Sequence, residues 1–226
     1  MESQEVEKLY TENASLYHHF FIDFLRYGAG LKRLLAKSDY LRPNIKVLDV
    51  GCGTGILTRS MTAIARERGF GGITFHAFDL TRAMLDLFRD WIARTGTTGI
   101  ELRQANVLDP AALPEDWKNY DLIVSSAMLE YLPKERLKDA LAHIAGRLAP
   151  DGRLLVVITR RNFLMKLLIA WWWKAHMYEK EEIAAVFEEA GLTARFGRFP
   201  FPYDYLNLWG LVIEARRKEG GRPWQT

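Results

Sequence analysis

One short segment restricts the fold of this chain more than any other: an apolar, strand-like stretch that runs directly into three closely spaced glycines. Residues 46–50 read KVLDV, glycines follow at positions 51, 53 and 55, and a helical pattern begins at residue 56. Glycine is required where the backbone has positive φ or where a ligand touches it, because any Cβ would hold that ligand away. The segment therefore predicts a strand, a ligand-binding turn and a helix.

The spacing of the glycines argues against a dinucleotide site. A dinucleotide fingerprint needs a third Gly or Ala three positions after the second glycine, where the helix packs on the strand and receives a pyrophosphate. That position is Ile56. A nicotinamide cofactor is therefore disfavoured.

Further apolar segments rich in β-branched residues alternate with helical patterns along the chain. This alternation predicts an α/β fold with a mostly parallel sheet of seven strands and helices on both faces. Residues 5–27 carry an aromatic amphipathic pattern, which predicts a helix before the first strand. We assign residues 1–40 to an N-terminal helical cap and 41–226 to the main domain. The predicted strands are 46–50, 73–78, 100–104, 120–125, 153–159, 194–199 and 208–215, and the predicted helices lie near 56–68, 81–94, 134–148 and 179–190.

Composition and charge exclude several classes of protein. The 226 residues carry 31 Lys and Arg against 28 Asp and Glu, so the formal net charge of +3 is too small to argue for nucleic acid. The single cysteine, Cys52, excludes an intrachain disulfide and a cysteine-cluster zinc site, and we expect no metal. An acidic, polar N-terminal segment lacks the signal-peptide pattern, which predicts a cytoplasmic protein.

Several motifs in order carry a family resemblance. Residues 47–55, VLDVGCGTG, resemble motif I of the class I S-adenosylmethionine (SAM)-dependent methyltransferases, in which an acidic residue lies two positions before the first glycine. Residues 76–81, HAFDLT, are similar to the end of the second strand in that family, and residues 104–107, QANV, to the segment after the third. Residues 120–133 resemble the fourth strand with its substrate-facing loop, and residues 148–154 the turn into the fifth. The resemblance covers roughly residues 45–160 and implies a Rossmann-like fold with SAM as cofactor.

The resemblance also implies roles for individual residues. Asp79 would accept hydrogen bonds from both ribose hydroxyls, since two carboxylate oxygens match two adjacent donors. Asn106 would contact the adenine amino group, although many family members have Asp there. The alternatives are that Asp49 caps the loop amides and that Asp79 is an N-cap. The cofactor-binding residues implied are Tyr17, Asp49, Gly51, Cys52, Gly53, Gly55, Asp79, Leu80, Met84, Asn106, Val107 and Ser125.

Methyl transfer from a sulfonium depends mainly on orientation and on excluding water. A base is needed only where the acceptor is a carbon or an alcohol. We predict Glu130 and Tyr131, after the fourth strand, as acceptor-pocket and catalytic candidates, together with His18 and His19 in the N-terminal helix. A surface histidine pair is an equally common explanation of the last two. The remaining acid–base candidates are His176, Tyr178 and Tyr203.

An insertion after the fifth strand departs from the plain α/β pattern. Residues 160–174 contain three consecutive tryptophans flanked by cations, and the apolar run is too short for a membrane-crossing helix, which takes about 20 residues. One interpretation is a lid, residues 162–178, that lines an apolar pocket. The other is a peripheral membrane contact, since indole rings and basic residues suit a bilayer interface. Both predict a hydrophobic small-molecule or lipid-like acceptor.

The sequence is also compatible with other functions of a Rossmann-like fold. Base methylation is disfavoured, because no Asn-Pro-Pro-Tyr-like tetrapeptide follows the fourth strand. An aminopropyltransferase would need more acidic residues there than Glu130. A nicotinamide-dependent oxidoreductase is disfavoured by Ile56, and a non-catalytic partner that has kept the SAM-binding fold is the third alternative.

Overall fold

The computed structural model describes residues 26–160, 176 and 178–218. These residues form a sheet with helices packed on both of its faces. The strands are β1 Lys46–Val50, β2 Thr74–Asp79, β3 Ile100–Gln104, β4 Tyr120–Ser126, β5 Leu148–Thr159, β6 Leu192–Gly197 and β7 Gly210–Arg217. The α-helices of the described ranges are α1 Tyr27–Ala36, α2 Ile56–Arg68, α3 Arg82–Thr95, α4 Lys134–Gly146 and α5 Lys180–Glu189.

The seven strands lie in the order β3-β2-β1-β4-β5-β7-β6. Strands β1 to β5 pair in parallel, and β7 is antiparallel to both of its neighbours, β5 and β6. The predicted α/β fold with a mostly parallel seven-stranded sheet is therefore confirmed. Strand order reverses between β1 and β4, and ligands of such sheets bind in the crevice at the carboxyl ends of the strands beside that point.

Alternating side chains of the buried strands supply two apolar layers. On β1, Val47 packs with α1 and α2, whereas Leu48 packs with α4 and α5 on the opposite face. A third, smaller cluster joins α3 to the glycine turn through Cys52 and Phe88. Helices α1 to α3 thus cover one face of the sheet and α4 and α5 the other, which leaves the carboxyl edge for the site. None of the helices in the described ranges combines the length and apolar character needed to cross a bilayer.

Helix α1 belongs to the predicted cap but does not fall where the amphipathic pattern placed a helix. The predicted helix at residues 5–27 lies outside the described residues except for its last two positions, and α1 begins at Tyr27. A Cβ at Gly30 would lie 2.2 Å from the Leu206 side chain, so glycine is what allows α1 to pack this closely against residues 204–208. Tertiary packing therefore outweighs the poor helix propensity of Gly28 and Gly30.

Strand β5 begins earlier than predicted, at Leu148 rather than at residue 153. Leu148 pairs with Tyr120, and the register shifts between that pair and the pairing of Leu122 with Arg153. Pro150 and Gly152 lie between these two pairs, where the regular pairing of β4 with β5 is interrupted. A proline can sit in a strand where the ladder is interrupted, which the local turn signal alone does not show.

Candidate active site

The glycine turn after β1 has the backbone that its sequence predicts. Gly51, Gly53 and Gly55 all have positive φ, at 66°, 52° and 84°. The turn is fixed by two hydrogen bonds: the Cys52 amide donates to the Phe78 carbonyl at 3.0 Å, and the Gly55 amide donates to the Cys52 carbonyl at 2.8 Å. Residues with a Cβ rarely adopt such φ values. The backbone therefore favours glycine at all three positions.

The three glycines differ in what surrounds them. A Cβ at Gly51 would lie 2.2 Å from Met128 Cγ, and a Cβ at Gly55 would lie 2.4 Å from the Phe88 ring. A Cβ at Gly53 would meet no protein atom within 4 Å. Gly51 and Gly55 are thus packed against protein side chains, whereas Gly53 borders space in which a ligand can approach the backbone.

Asp79, at the end of β2, lies directly beside this open position. Its Oδ2 accepts a hydrogen bond from the Gly53 amide at 2.8 Å, and its Oδ1 accepts one from the Thr81 amide at 2.8 Å. Desolvation raises the pKa of Asp79, and the bonds from the Thr81 and Gly53 amides oppose that rise. The carboxylate therefore joins the glycine turn to the start of α3, within reach of a ligand that lies along Gly53.

Asp49 has a different environment. Its side chain is buried, and Oδ2 accepts hydrogen bonds from the Thr58 hydroxyl at 2.7 Å and the Thr58 amide at 3.2 Å. Burial raises the pKa of Asp49 to about 7, against the effect of these two bonds. Asp49 therefore ties the end of β1 to the first turns of α2, a bond that shapes the glycine turn between them.

The other predicted cofactor residues of the described ranges surround the same edge. Asn106 Oδ1 accepts a hydrogen bond from the Leu108 amide at 3.0 Å, which shapes the turn after β3. The Ser125 hydroxyl donates to the Val50 carbonyl at 2.9 Å and joins the ends of β1 and β4. Cys52 and Val107 are buried, and desolvation raises the pKa of the Cys52 thiol. Leu80 and Met84 are half-buried after β2 and on α3.

Glu130 is a buried carboxyl at the carboxyl end of β4. It lies in the 3-10 helix Leu129–Tyr131, and its Oε1 accepts a hydrogen bond from the Thr159 hydroxyl at 2.8 Å. Among the described residues, Oε2 has no hydrogen-bond partner. Desolvation raises the pKa of Glu130 to about 7, against the hydrogen bonds that it accepts. A carboxyl in this state can take up or release a proton near neutral pH.

Tyr178 brings a second buried polar group to the same region. Its ring is buried and its hydroxyl has no hydrogen-bond partner among the described residues. Burial raises the pKa of Tyr178, and the charge of Glu130 adds to that rise. The Tyr178 amide donates to the Thr159 carbonyl at 3.4 Å, and the His176 amide donates to the Glu130 carbonyl at 2.7 Å. The described residues at 176 and 178 thus lie against Glu130 and Thr159.

Some site residues were missed by the sequence analysis. The Tyr27 hydroxyl on α1 lies 2.6 Å from the Ser126 hydroxyl at the end of β4, and Met128 lies directly behind Gly51. No local pattern marks either residue, because both contacts depend on how α1 and the loop after β4 fold back on the strand ends.

Part of the predicted site belongs to segments beyond the described ranges. Tyr17, His18 and His19 lie outside the described residues, as does the insertion 160–174 apart from Arg160. Across residues 26–160, 176 and 178–218, no group of three His, Cys, Asp or Glu side chains could hold a metal ion.

The arrangement fits the adenosyl end of SAM. Open space beside the Gly53 backbone gives room for a ligand, and the Asp79 carboxylate next to it offers two acceptors to a pair of hydroxyls. Of the predicted cofactor residues, Asp79 and Gly53 are in direct contact, and Gly51 and Gly55 belong to the same turn.

Comparison with known proteins supports the same family. A family model described as a methyltransferase domain matches residues 17–195. The ubiquinone biosynthesis O-methyltransferase of Vibrio parahaemolyticus is 33% identical over 132 residues, which make up 58% of this chain and 51% of that protein. A highly reducing polyketide synthase from Penicillium soppii is 23% identical over 202 residues, which make up 86% of this chain and 7% of the synthase. The chain thus spans only about half, or a small part, of these relatives.

Solved structures share the fold. The structure of magnesium protoporphyrin IX methyltransferase from Synechocystis with bound S-adenosylhomocysteine (SAH) superposes with a TM-score of 0.70 at 16% identity, covering 96% of this chain and 100% of that chain. Because the family model matches most of the sequence, the chain belongs to the methyltransferase-domain family, in its SAM-dependent class.

Proposed function

We propose that this protein transfers the methyl group of SAM to a hydrophobic small-molecule or lipid-like acceptor. The observation that carries the proposal is the placement of the Asp79 carboxylate 2.8 Å from the Gly53 amide, beside the one glycine of the turn whose Cβ direction is open. When bound, SAM supplies an electrophilic methyl group on a positively charged sulfur. The chain's own residues bind the adenosyl part, orient the acceptor and exclude water.

The residues at the end of β4 support an acceptor site next to the cofactor turn. Met128 packs behind Gly51, and Glu130 and Tyr131 follow at once in a buried 3-10 helix. In a parallel sheet the carboxyl ends of neighbouring strands meet at one edge, so a ligand along Gly53 lies beside the end of β4. The predicted acceptor class also agrees with the names of the relatives, one a ubiquinone biosynthesis O-methyltransferase and another a polyketide synthase.

Glu130 is the residue to which we assign the acceptor's proton. It has an oxygen without a hydrogen-bond partner in the described part of the chain, its pKa lies near 7, and Thr159 holds its other oxygen in place. Tyr131 is assigned to the pocket wall. His18 and His19 remain predicted candidates for accepting the same proton. If the acceptor is a phenol or carboxylate, already ionised or nearly so, orientation suffices and Glu130 matters less.

Two measurements test the proposed function. Calorimetry should show that the protein binds SAH and not NADH, and that Asp79→Asn weakens SAH binding while Asp90→Asn, on the exposed surface of α3, does not.

Labelled methyl transfer from SAM into a fractionated cell extract, with lipid and aqueous phases counted separately, should place the label in the lipid phase. Label found only in protein or RNA would overturn the acceptor class, and NADH binding without SAH binding would overturn the cofactor.

The proton-transfer assignment needs its own test. With a carbon or alcohol acceptor, Glu130→Gln should lower kcat and abolish the pH dependence of kcat near pH 7, while SAH affinity stays unchanged. Thr159→Val removes the hydroxyl that orients the carboxyl and should lower kcat less. An unchanged kcat and pH profile in the Glu130→Gln variant would remove Glu130 from the reaction.

A further inference from the structure

The loop that joins β6 to β7 exposes large apolar side chains at the site edge of the sheet. Phe201 is 79% exposed, Leu208 58% and Tyr205 37%. Thr159, the last residue of β5, pairs with Gly210, the first of β7. The loop therefore lies at the carboxyl end of β5, the end at which Thr159 contacts Glu130.

The exposure of two of these residues follows from the local helix. Residues 204–208 form a 3-10 helix, in which side chains three positions apart lie on the same face. Tyr205 and Leu208 therefore share its outer face. Leu206 is buried against α1 near Gly30, so that the helix cannot turn its outer face inward without losing this contact.

Hydrogen bonds hold the loop in this shape. Asn207 Oδ1 accepts from the Phe199 amide at 2.8 Å, and Asn207 Nδ2 donates to the Asp204 carbonyl at 2.7 Å. Arg160 Nη1 donates to the Asn207 carbonyl at 3.1 Å. Because the loop is already ordered, a binding partner would not have to supply the free energy of ordering it.

Positive charge accompanies the apolar side chains. Arg160 contacts the loop, the Arg26 guanidinium lies 5.9 Å from the centroid of the Tyr203 ring, and Arg198 is exposed at the start of the loop. Asp204 is the only acidic residue between positions 198 and 209. Within the loop Arg198 and Asp204 balance, and Arg26 and Arg160, which contact the loop from outside it, add two positive charges that favour an anionic partner.

We propose that this surface, defined by Phe201, Tyr205 and Leu208 with Arg26, Arg160 and Arg198, docks the protein on an anionic lipid bilayer. Aromatic and aliphatic side chains enter the headgroup region, while arginines bind lipid phosphates. The inference rests on the proposed function in one respect: a lipid-like acceptor would enter the site from the membrane that the loop contacts.

A bilayer fits this surface better than a protein partner does. A stable protein interface buries about 800 Å² on each partner, usually over 20–30 residues, and has a buried apolar centre. Three protruding side chains at a loop tip cover only part of that area. A membrane needs no matching shape, and a small apolar projection with adjacent cations is enough for peripheral binding.

Vesicle flotation with the full chain tests the docking surface. The probes are phosphatidylcholine vesicles and vesicles of the same lipid with about a third phosphatidylglycerol. The test variant is Phe201→Glu combined with Leu208→Glu. The matched control is Leu87→Glu, because Leu87 is 53% exposed on α3 and lies outside the loop.

We expect the wild type and the Leu87→Glu control to float with the anionic vesicles and to be released by high salt. The partition coefficient of the double variant onto anionic vesicles should fall about tenfold or more, because two apolar contacts are lost and two carboxylates are added. Arg198→Ala should reduce binding to anionic vesicles alone. Circular dichroism and SAH calorimetry should be unchanged in every variant, which separates this test from that of the proposed function.

Two results would overturn the proposal. One is an absence of wild-type binding to anionic vesicles. The other is equal vesicle binding by the double variant and the Leu87→Glu control. Vesicle binding without any SAH binding would uphold the docking surface and overturn the proposed function alone.

Discussion

Substituting alanine for Gly53 separates ligand binding by the glycine turn from its role in folding. A Cβ at this position would meet no protein atom within 4 Å, so the folded chain can accommodate it. The cost is the strain of placing an L-residue at a φ of 52°, about 1–2 kcal/mol. The new methyl group would occupy the space where we place the adenosyl part of SAM.

The expected loss of affinity exceeds the expected loss of stability. A methyl group between the ligand and the backbone displaces the ligand from the Asp79 carboxylate and from its contacts with the turn. Losing one charge-assisted hydrogen bond and part of the packing costs roughly 3 kcal/mol, or a hundredfold in Kd for SAH. The fraction of folded protein stays high, because native proteins are stable by about 5–15 kcal/mol.

Gly69→Ala is the matched control. Gly69 ends α2 with a φ of 68°, and a Cβ there would also meet nothing within 4 Å, but the residue lies at the opposite end of α2 from the glycine turn. The two variants should therefore lose similar stability in denaturant titrations. Calorimetry with SAH should show normal affinity for Gly69→Ala and the large loss only for Gly53→Ala.

Gly51→Ala and Gly55→Ala complete the series. Their Cβ atoms would lie 2.2 Å from Met128 Cγ and 2.4 Å from the Phe88 ring, so both variants should lose more stability than Gly53→Ala. The reasoning is refuted if Gly53→Ala binds SAH as tightly as Gly69→Ala does, or if Gly53→Ala is the least stable of the three turn variants.

The remaining predictions concern buried carboxyl groups. Desolvation raises the pKa of Asp79 in the free protein, and ribose hydroxyls favour the ionised carboxylate. SAH affinity measured by calorimetry should therefore fall as the pH drops through that raised pKa, and an affinity independent of pH would contradict this. The pKa of Glu130 rises from 4.5 to about 7 on folding, so the free energy of unfolding should decrease by up to about 3 kcal/mol as the pH rises between those values. Denaturant titrations of Glu130→Gln should lack this pH-dependent decrease. Thr58→Val removes one donor to the buried Asp49 carboxylate and should cost about 1–3 kcal/mol. Thr62→Val should cost less, because the Thr62 hydroxyl donates to the Thr58 carbonyl within α2; equal unfolding midpoints of the two variants would contradict the Asp49 assignment.

Local sequence signals predicted the parts of the structure that local physics determines. Strand β1 and the turn after it were predicted with the observed bounds, because apolar residues flanked by glycines with a required positive φ leave few alternatives. The position of Asp79 beside the turn was implied by the family resemblance, and it agrees with the parallel pairing of β1 and β2, whose carboxyl ends share one edge.

Features that depend on tertiary contacts were not predicted. No helix was predicted over residues 28–36, and α1 packs there because the missing side chain of Gly30 admits Leu206 from a segment far along the chain. The bond between Tyr27 and Ser126 joins residues 99 positions apart, and no spacing rule marks it.

The environment of the two aspartates could not be derived from their motifs either. Asp49 is next to last in β1 and Asp79 is last in β2, yet Asp49 is buried on Thr58 whereas Asp79 lies beside Gly53 and the open space there. The difference arises because α2 places Thr58 against Asp49, whereas the amides of Gly53 and Thr81 contact Asp79. The resemblance implied a cofactor role for both carboxylates but did not indicate that Asp49 bonds to Thr58.

A crystal structure with bound SAH tests the central claim most directly. We predict that the adenosyl part lies along the Gly53 backbone with both ribose hydroxyls about 2.6–3.0 Å from the Asp79 carboxylate oxygens. The Asp49 carboxylate should keep its bonds to Thr58. A structure in which SAH occupies another position, with the Asp79 carboxylate untouched and the space beside Gly53 empty, would contradict the account.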